Sequence, residues 1–323
     1  MKLERRRSFM LKVDAPFNFD ATFHNPSYFP TTDTDWRPGV LWQSMLWQGQ
    51  PLGLKFEERG SVDAPAVRLS IWSPRALADN FYRGLLSEIR YRANLDLDLA
   101  EFTARFKRDP ILAPALRKWR GMRPGSLASL YEYLIIAIVL QNCTVRRSVR
   151  MMRSLFEHYG RQLEYNGKRL SCFWRPEKLE RIEEEELRAL KVGYRAKSIL
   201  RVTRAFVDRQ IDEARLRAQP YAEQRAALLN LYGVGPASVE YILSDVFHHY
   251  DQLAHISPWE QKIYGKLFLD CDPENPPPVD DLIAFLDKRF GEWKMLAVSY
   301  VWADLWWRRK YEKVDWLEKL IRL

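Results

Sequence analysis

The sequence is poor in cysteine and has no long apolar run. Its three cysteines, Cys143, Cys172 and Cys271, are far apart and form no C-x-x-C pair. That spacing argues against a zinc site, a four-cysteine iron–sulfur cluster and a disulfide framework, and it favours a reducing compartment. No apolar stretch approaches the roughly 18–20 residues that a membrane-spanning helix needs. We therefore expect an intracellular protein of the cytoplasm or nucleoid, or of the nucleus in a eukaryote, with no membrane partner.

Acidic residues are outnumbered by basic ones. Lysine and arginine total 51 against 42 aspartates and glutamates, which gives a formal net charge of +9 and an isoelectric point near 9.4. This excess of positive charge favours a polyanionic partner over an acidic small molecule. The chain has 323 residues, 47% of them hydrophobic, and is long enough for two or three compact globular units.

Two regions of different periodicity divide the chain. Residues 10–75 contain short alternating segments such as "LGLKFEE" and "AVRLSIW" between turn-forming residues, a pattern typical of antiparallel β-structure. From Pro74 onward apolar residues recur every three or four positions, as in "SLYEYLIIAIVLQN", which predicts helices almost throughout. We therefore predict an α+β fold, with a small antiparallel β domain at residues 1–74 and an all-α domain at residues 75–323.

The stretch "LYGVGPASVEYIL" at residues 231–243 predicts two helices joined by a bare turn. Gly233 and Gly235 flank Val234 and free the backbone for close approach, while Pro236 suits the first position of the second helix. Unpaired amides at the positive end of a helix bind a phosphate whatever the neighbouring base. An ordinary corner between two helices would have a similar sequence, so the turn alone leaves both interpretations open.

A basic and aromatic segment precedes this turn. In "GYRAKSILRVTRAF", Tyr194, Arg195 and Lys197 open a predicted helix. A tyrosine among basic residues can act as a wedge or a stacking group beside a track of phosphates. Together with the turn, this segment indicates a DNA-binding surface.

Six stretches in the same order resemble the helix-hairpin-helix (HhH-GPD) DNA glycosylases, nearest to 8-oxoguanine DNA glycosylase and then to the DNA-3-methyladenine glycosylases. The stretches are "DPILAPALRKWRGMRP", "YEYLIIAIVLQNCTVRR", "LKVGYRAKSI", "LYGVGPASVEYIL", "AHISPWEQKIYGKLF" and "FGEWKMLAVSYVWADL". The resemblance covers most of residues 15–305 and implies a TBP-like β domain before a helical domain whose DNA-binding hairpin occupies residues 228–247. It also implies a monomer that binds damaged double-stranded DNA. No cofactor, metal or iron–sulfur cluster is required, and a Na⁺ or K⁺ ion is an optional ligand at the hairpin.

The resemblance assigns DNA-facing roles to several residues. Asn142 would fill the gap that the flipped base leaves, and Tyr194 would be wedged into the duplex. Arg147 and Arg195 would contact the orphaned partner base. Such groups compensate part of the stacking that is lost when an enzyme extrudes its target base. The structural alternative is a capping asparagine, a packed tyrosine and solvated arginines.

The catalytic positions depart from the family pattern. Members that also act as lyases have a nucleophilic lysine two residues after the glycine turn, where this chain has Ala237. Nearly every member has an aspartate just before the next helix, and "AHISPWEQKIYGKLF" places Ser257 there. Serine carries no charge at pH 7, whereas charge stabilisation of this kind is commonly worth several kcal/mol. Glu260 is the nearest candidate substitute, followed by Asp251. Glu260 would also complete a capping box with Ser257, which explains both residues without catalysis.

The base pocket implied by the resemblance is less polar than that of the 8-oxoguanine enzymes. Those enzymes read the base with a glycine carbonyl in the β domain and a glutamine on the last shared helix, and the corresponding residues here are Trp42 and Val298. Trp302 falls where the family stacks an aromatic ring on the flipped base, although a tryptophan-rich helix can also bury such a residue in a core. An apolar pocket of this kind suits an alkylated purine as well as an oxidised one.

The sequence therefore predicts a base-excision-repair glycosylase. It would flip a damaged purine from duplex DNA and hydrolyse the N-glycosidic bond without Schiff-base lyase chemistry. The alternative is a catalytically impaired protein of the same fold that binds DNA lesions or distorted DNA.

Overall fold

The computed structural model describes residues 1–24 and 31–321. In these ranges the strands are β1 (Arg5–Leu11), β2 (Thr34–Arg37), β3 (Val40–Trp47), β4 (Gln50–Glu58), β5 (Val67–Ser73), β6 (Arg161–Tyr165) and β7 (Lys168–Cys172). The helices are α1 (Phe19–Phe23), α2 (Asp79–Arg92), α3 (Ala100–Phe106), α4 (Leu112–Lys118), α5 (Leu130–Leu140), α6 (Val145–Tyr159), α7 (Glu184–Leu187), α8 (Arg195–Val207), α9 (Glu213–Arg217), α10 (Tyr221–Leu229), α11 (Pro236–Asp245), α12 (Pro258–Leu269), α13 (Val279–Phe290), α14 (Lys294–Tyr311) and α15 (Asp315–Leu320). None of the described helices combines the length and the hydrophobicity that crossing a bilayer requires.

The N-terminal region is a five-stranded antiparallel sheet in the order β1-β5-β4-β3-β2. One face of this sheet packs against α2, where Leu85 and Ile89 are fully buried among residues of β3, β4 and β5. The apolar side of each strand points to this layer because side chains alternate along a strand. The sheet followed by helices confirms the predicted α+β fold class.

A second, two-stranded sheet lies within the helical region, which periodicity did not predict. The hairpin of β6 and β7 covers the other face of the large sheet, and its Leu163 and Tyr165 pack against Trp42 and Trp72. Strands β3 and β4 are therefore buried on both faces. The ring of Tyr165 lies so close to Gly53 that a Cβ there would come within 2.5 Å of it, so this position requires glycine.

Two apolar clusters organise the helices. The first surrounds α5 and also includes α6, α8, α10 and α11, whereas the second holds α3, α4 and α12 to α15. Helix α5 begins at a capping box between Ser129 and Glu132, and its apolar run leaves Leu134 and Ile138 fully buried. We name the region where α5 and α11 meet α12 and α14 the junction. The Tyr241 hydroxyl of α11 crosses it to donate a hydrogen bond to Glu260 of α12.

Candidate nucleic-acid interface and active site

The turn between α10 and α11 is shaped by its glycines. Gly233 has a φ of +80°, and a Cβ there would lie 2.2 Å from the hydroxyl oxygen of Ser198. A side chain at this position is therefore disfavoured by both backbone strain and lack of space. Val234 is buried, and its amide donates to the Leu231 carbonyl at 3.1 Å, so this residue anchors the turn.

The start of α11 offers backbone amides to an anion. Gly235 is the N-cap of α11 and Pro236 its first residue. Within the described part of the chain, no acceptor pairs with the amides of Gly233 and Gly235. These groups lie at the positive end of the helix dipole, an arrangement that binds phosphate without reading a base.

The loop between α5 and α6 is tied to this turn. Asn142 adopts a left-handed φ of +46°, which asparagine tolerates better than most residues. Its exposed side chain places Nδ2 3.5 Å from the hydroxyl oxygen of Tyr194. The preceding residue, Gln141, donates from Nε2 to the Gly233 carbonyl at 2.7 Å. The structure thus brings the predicted plug, wedge and hairpin onto one surface.

The surroundings of this surface are basic. Tyr194 immediately precedes α8 and is 52% exposed. Lys197 is exposed one turn later, with its Nζ 5.1 Å from the centre of the Tyr232 ring. The outer face of α6 carries exposed arginines that form no ion pair with described residues, namely Arg146, Arg147, Arg150 and Arg153. This positive charge favours contact with a phosphate backbone.

Arg195, which the resemblance predicts to contact the orphaned base, is buried beside the loop. Its side chain is only 2% exposed, and its guanidinium donates to the carbonyl of Gln141. The guanidinium carbon also lies 4.7 Å from the centre of the Tyr194 ring. Arg195 therefore holds the loop and the tyrosine in place, and its guanidinium is not presented to an orphaned base in this conformation.

Ser257 and Glu260 form a complete capping box at the start of α12. The Ser257 hydroxyl accepts from the Glu260 amide at 3.3 Å, and Glu260 Oε2 accepts from the Ser257 amide at 2.9 Å. The serine side chain is thus occupied with helix capping. Asp251, the other candidate acid, is exposed in a loop and accepts from Gln252 at 3.0 Å.

The remaining oxygen of Glu260 faces two tyrosines. Glu260 is 6% exposed, and its Oε1 accepts from the hydroxyl of Tyr241 and, at 3.5 Å, from that of Tyr264. Burial, and then the negative charge of Glu260, raise the pKa of both tyrosine hydroxyls well above their usual range. Both tyrosines therefore stay protonated and act as donors. Ala237 lies one turn before Tyr241 on the same face of α11.

An aromatic group lines the α14 side of the junction. Trp302 is half-buried, and its ring centre lies 5.9 Å from that of Tyr264, 5.7 Å from Trp259 and 5.6 Å from Trp306, all edge to face. Val298, one turn earlier on α14, is buried in the second apolar cluster. Trp302 therefore lies beside Glu260 with part of its surface free to contact a base.

The family assignment follows from the chain's match over most of this region. Residues 135–319 match the HhH-GPD superfamily of base excision DNA repair proteins. The chain belongs to this superfamily. That result confirms the resemblance seen in the six sequence stretches and the link to base excision repair.

Relatives of this HhH-GPD protein span both domains. It is 23% identical over 219 residues to a DNA-3-methyladenine glycosylase of Bacillus subtilis strain 168, covering 66% of this chain and 69% of that protein. The 3-methyladenine DNA-glycosylase of Archaeoglobus fulgidus has the same fold with a TM-score of 0.75 at 14% identity, over 95% of this chain and 100% of that one. The 8-oxoguanine glycosylase/lyase of Clostridium acetobutylicum was solved with double-stranded DNA containing cytosine opposite 8-oxoguanine. It has the same fold with a TM-score of 0.70 at 18% identity, over 96% of this chain and 99% of that one.

The side chain of Trp42, a residue that the resemblance places at the base pocket, packs in a different apolar cluster from that of Trp302. Its indole nitrogen donates to Asn166 Oδ1 at 2.9 Å, and Lys168 Nζ lies 4.6 Å from its ring centre. Both partners belong to the β6–β7 hairpin, which buries Trp42 against the large sheet in a cluster separate from that of Trp302. The sequence patterns predicted no hairpin at residues 161–172, so they did not predict this packing of the Trp42 side chain.

Sequence reasoning also missed a buried acid at the junction of this HhH-GPD protein. Asp245, the last residue of α11, accepts a 2.6 Å hydrogen bond from the hydroxyl of Tyr133 on α5. Burial raises the pKa of Asp245 to about 6, against the opposing effect of that hydrogen bond. The residues are 112 positions apart, so no local pattern links them.

No group of three or more histidine, cysteine, aspartate or glutamate side chains among the described residues is placed to hold a metal ion.

Proposed function

We propose that this HhH-GPD protein is a monofunctional DNA glycosylase that acts as a monomer on damaged double-stranded DNA. The observation that carries the proposal is the single basic surface formed by Tyr194, the Asn142 loop and the glycine turn, joined by the bond from Gln141 to Gly233. Base flipping requires a wedge, a group that fills the gap, and a grip on the backbone. The names of the relatives, which act on 3-methyladenine and 8-oxoguanine, support a damaged purine as the substrate.

The proposed reaction is hydrolysis. Water adds to C1′ of the flipped nucleotide as the bond to the purine breaks and its electron pair leaves with the base. The proton that the water loses ends in solvent or on the departing purine, which leaves a free base and an abasic site. Ala237 offers no amine for a Schiff base, so the proposed enzyme leaves the DNA strand intact.

Glu260 is the proposed source of negative charge for the sugar cation that develops as the bond breaks. Ser257 supplies none, because its hydroxyl is neutral and caps α12. The Glu260 carboxylate lies one turn into the same helix and is held by Ser257, Tyr241 and Tyr264. A fixed charge in a poorly solvated site stabilises an opposite charge more strongly than the same group in water. In this proposal Glu260 acts through its field and needs no proton transfer.

Single-turnover assays on duplexes that contain 8-oxoguanine, 7-methylguanine, hypoxanthine or uracil test the proposal. We expect release of a purine base, an abasic product, and no covalent complex after borohydride treatment. A borohydride-trapped adduct would show that another amine forms a Schiff base. If no duplex releases a base while lesion-containing DNA still binds more tightly than intact DNA, the protein is a binding module of the same fold.

A further inference from the structure

Asp245 is a half-buried acid whose carboxylate has no counter-ion among the described residues. Its Oδ2 accepts from the Tyr133 hydroxyl at 2.6 Å. No lysine, arginine or histidine of the described chain pairs with it, and the Tyr133 hydrogen bond is the one contact that offsets the effect of burial on its pKa. Burying a carboxylate without a cation costs free energy, and perturbed acids of this kind cluster where a ligand supplies the partner.

Asp245 lies at the end of α11, on the helix face that runs from the hairpin towards the junction. Ala237, Tyr241 and Asp245 are spaced by four residues and so share one face of α11. At 1.5 Å per residue, Asp245 lies about 12 Å along the helix from Ala237 and about 6 Å beyond Tyr241. All three residues are half-buried, as is Tyr133 on the adjacent α5, whereas the opposite face of α11 is buried in the first apolar cluster.

The titratable groups around Asp245 are acidic or neutral. Tyr133 faces it from α5, Tyr241 lies one turn back on α11, and Glu260 and Tyr264 extend the group from α12. Tyr133 also contributes to the raised pKa of Tyr241, which couples these two hydrogen-bonded groups electrostatically. None of the described lysines, arginines or histidines forms an ion pair with Asp245 or Glu260, although the formal net charge of the chain is +9.

We infer that Asp245, oriented by Tyr133, contacts the far edge of the flipped base and favours purines made cationic by alkylation of a ring nitrogen over neutral damaged purines. The inference rests on the proposed glycosylase function and adds to it the placement of the sugar near Ala237 and of the heterocycle along α11. A carboxylate forms stronger hydrogen bonds with the N–H groups of a cation than with those of a neutral ring. The aromatic faces of Trp302 and Tyr264 nearby also attract a cation.

The test compares Asp245→Asn with the native chain on two otherwise identical duplexes, one with cationic 7-methylguanine and one with neutral hypoxanthine. We expect the single-turnover rate of 7-methylguanine release to fall about 10- to 100-fold and that of hypoxanthine to change less than about two-fold, because only the cation loses a charged partner. Asp208→Asn, an exposed aspartate just after α8, is the matched control and should alter neither rate. Tyr133→Phe should also lower the ratio of the 7-methylguanine rate to the hypoxanthine rate. This variant replaces Asp245→Asn in the test if Asp245→Asn does not fold.

Three outcomes separate this inference from the proposed function. An equal loss of rate on both duplexes, or no loss of rate on either, overturns the role of Asp245 and leaves the proposed glycosylase function standing. If the native chain releases none of the four bases tested for the proposed function, that function fails, and binding of the 7-methylguanine and hypoxanthine duplexes becomes the readout. In that case the inference stands if Asp245→Asn weakens binding of the 7-methylguanine duplex alone. It is refuted if the native chain binds both duplexes with equal affinity.

Discussion

Gln141 donates a 2.7 Å hydrogen bond from Nε2 to the carbonyl oxygen of Gly233, 92 residues further along the chain. The carbonyl of Gln141 in turn accepts from the buried Arg195, which also contacts the ring of Tyr194. Asn142, the proposed plug, follows Gln141 directly and is therefore fixed relative to both the glycine turn and Tyr194, the proposed wedge. A surface that is already ordered loses less conformational entropy when it binds.

Replacing the wedge should weaken lesion recognition. We expect Tyr194→Ala to reduce affinity for an abasic-site duplex by about 10-fold or more, because an exposed aromatic ring that fills a disrupted stack is lost. The affinity for intact duplex should fall much less, since phosphate contacts supply most of that binding. Titration of both duplexes at one salt concentration measures the difference.

The matched control for this change is Tyr311→Ala. Tyr311 is 57% exposed, similar to Tyr194, and lies at the end of α14. It should leave both affinities unchanged. Equal weakening of intact and abasic duplexes by Tyr194→Ala would mean that Tyr194 belongs to the general phosphate-binding surface and is not a wedge.

Removing the charge of Glu260 while retaining the helix cap should separate catalysis from stability. Glutamine also completes a capping box, so Glu260→Gln should change the melting temperature little. The single-turnover rate of base release should nevertheless fall about 10- to 100-fold if the carboxylate stabilises the sugar cation. Thermal melts and rates measured on one preparation test both parts. An unchanged rate would leave Glu260 with a purely structural role.

The local elements that carry the DNA-facing surface follow from sequence, whereas the contacts between them do not. Gly233, Gly235 and Pro236 identify the hairpin because each has a conformational reason to be there. The burial of Arg195 depends on an acceptor 54 residues away. Amphipathic periodicity alone would place an arginine at the start of α8 in solvent, so the sequence does not predict its burial.

The turn between β6 and β7 has a sequence that is typical of a tight hairpin. Asn166 and Gly167 have φ values of +47° and +73°, and Asn-Gly is the pair that tight hairpin turns prefer. Recognition of this turn would have predicted the hairpin. Its packing against Trp42 depends on the tertiary fold, as does the meeting of Tyr133 with Asp245, and no spacing within one element encodes either contact.

Restoring the family aspartate should increase activity. Aspartate is as good an N-cap as serine, so Ser257→Asp should fold with the cap of α12 preserved. The new carboxylate would add negative charge at the position that the superfamily uses, and we expect base release about 10-fold faster or more. Ser257→Asn, which caps equally well without charge, is the control. A rate that rises equally in both variants would point to helix capping and not to charge.

The buried Asp245 should reduce stability at neutral pH. Its pKa in the folded state is about 6, above its usual value of 3.8, because burial disfavours the charge. Between these values the folded chain holds a proton that the unfolded chain has released, so this residue's penalty is full above pH 6 and disappears as the pH falls toward 4. We therefore expect Asp245→Asn to be more stable than the native chain at pH 8, on the order of 1 kcal/mol, with the difference shrinking by pH 4. Urea unfolding at both pH values measures it, and a difference that does not depend on pH would show that the buried charge is not its cause.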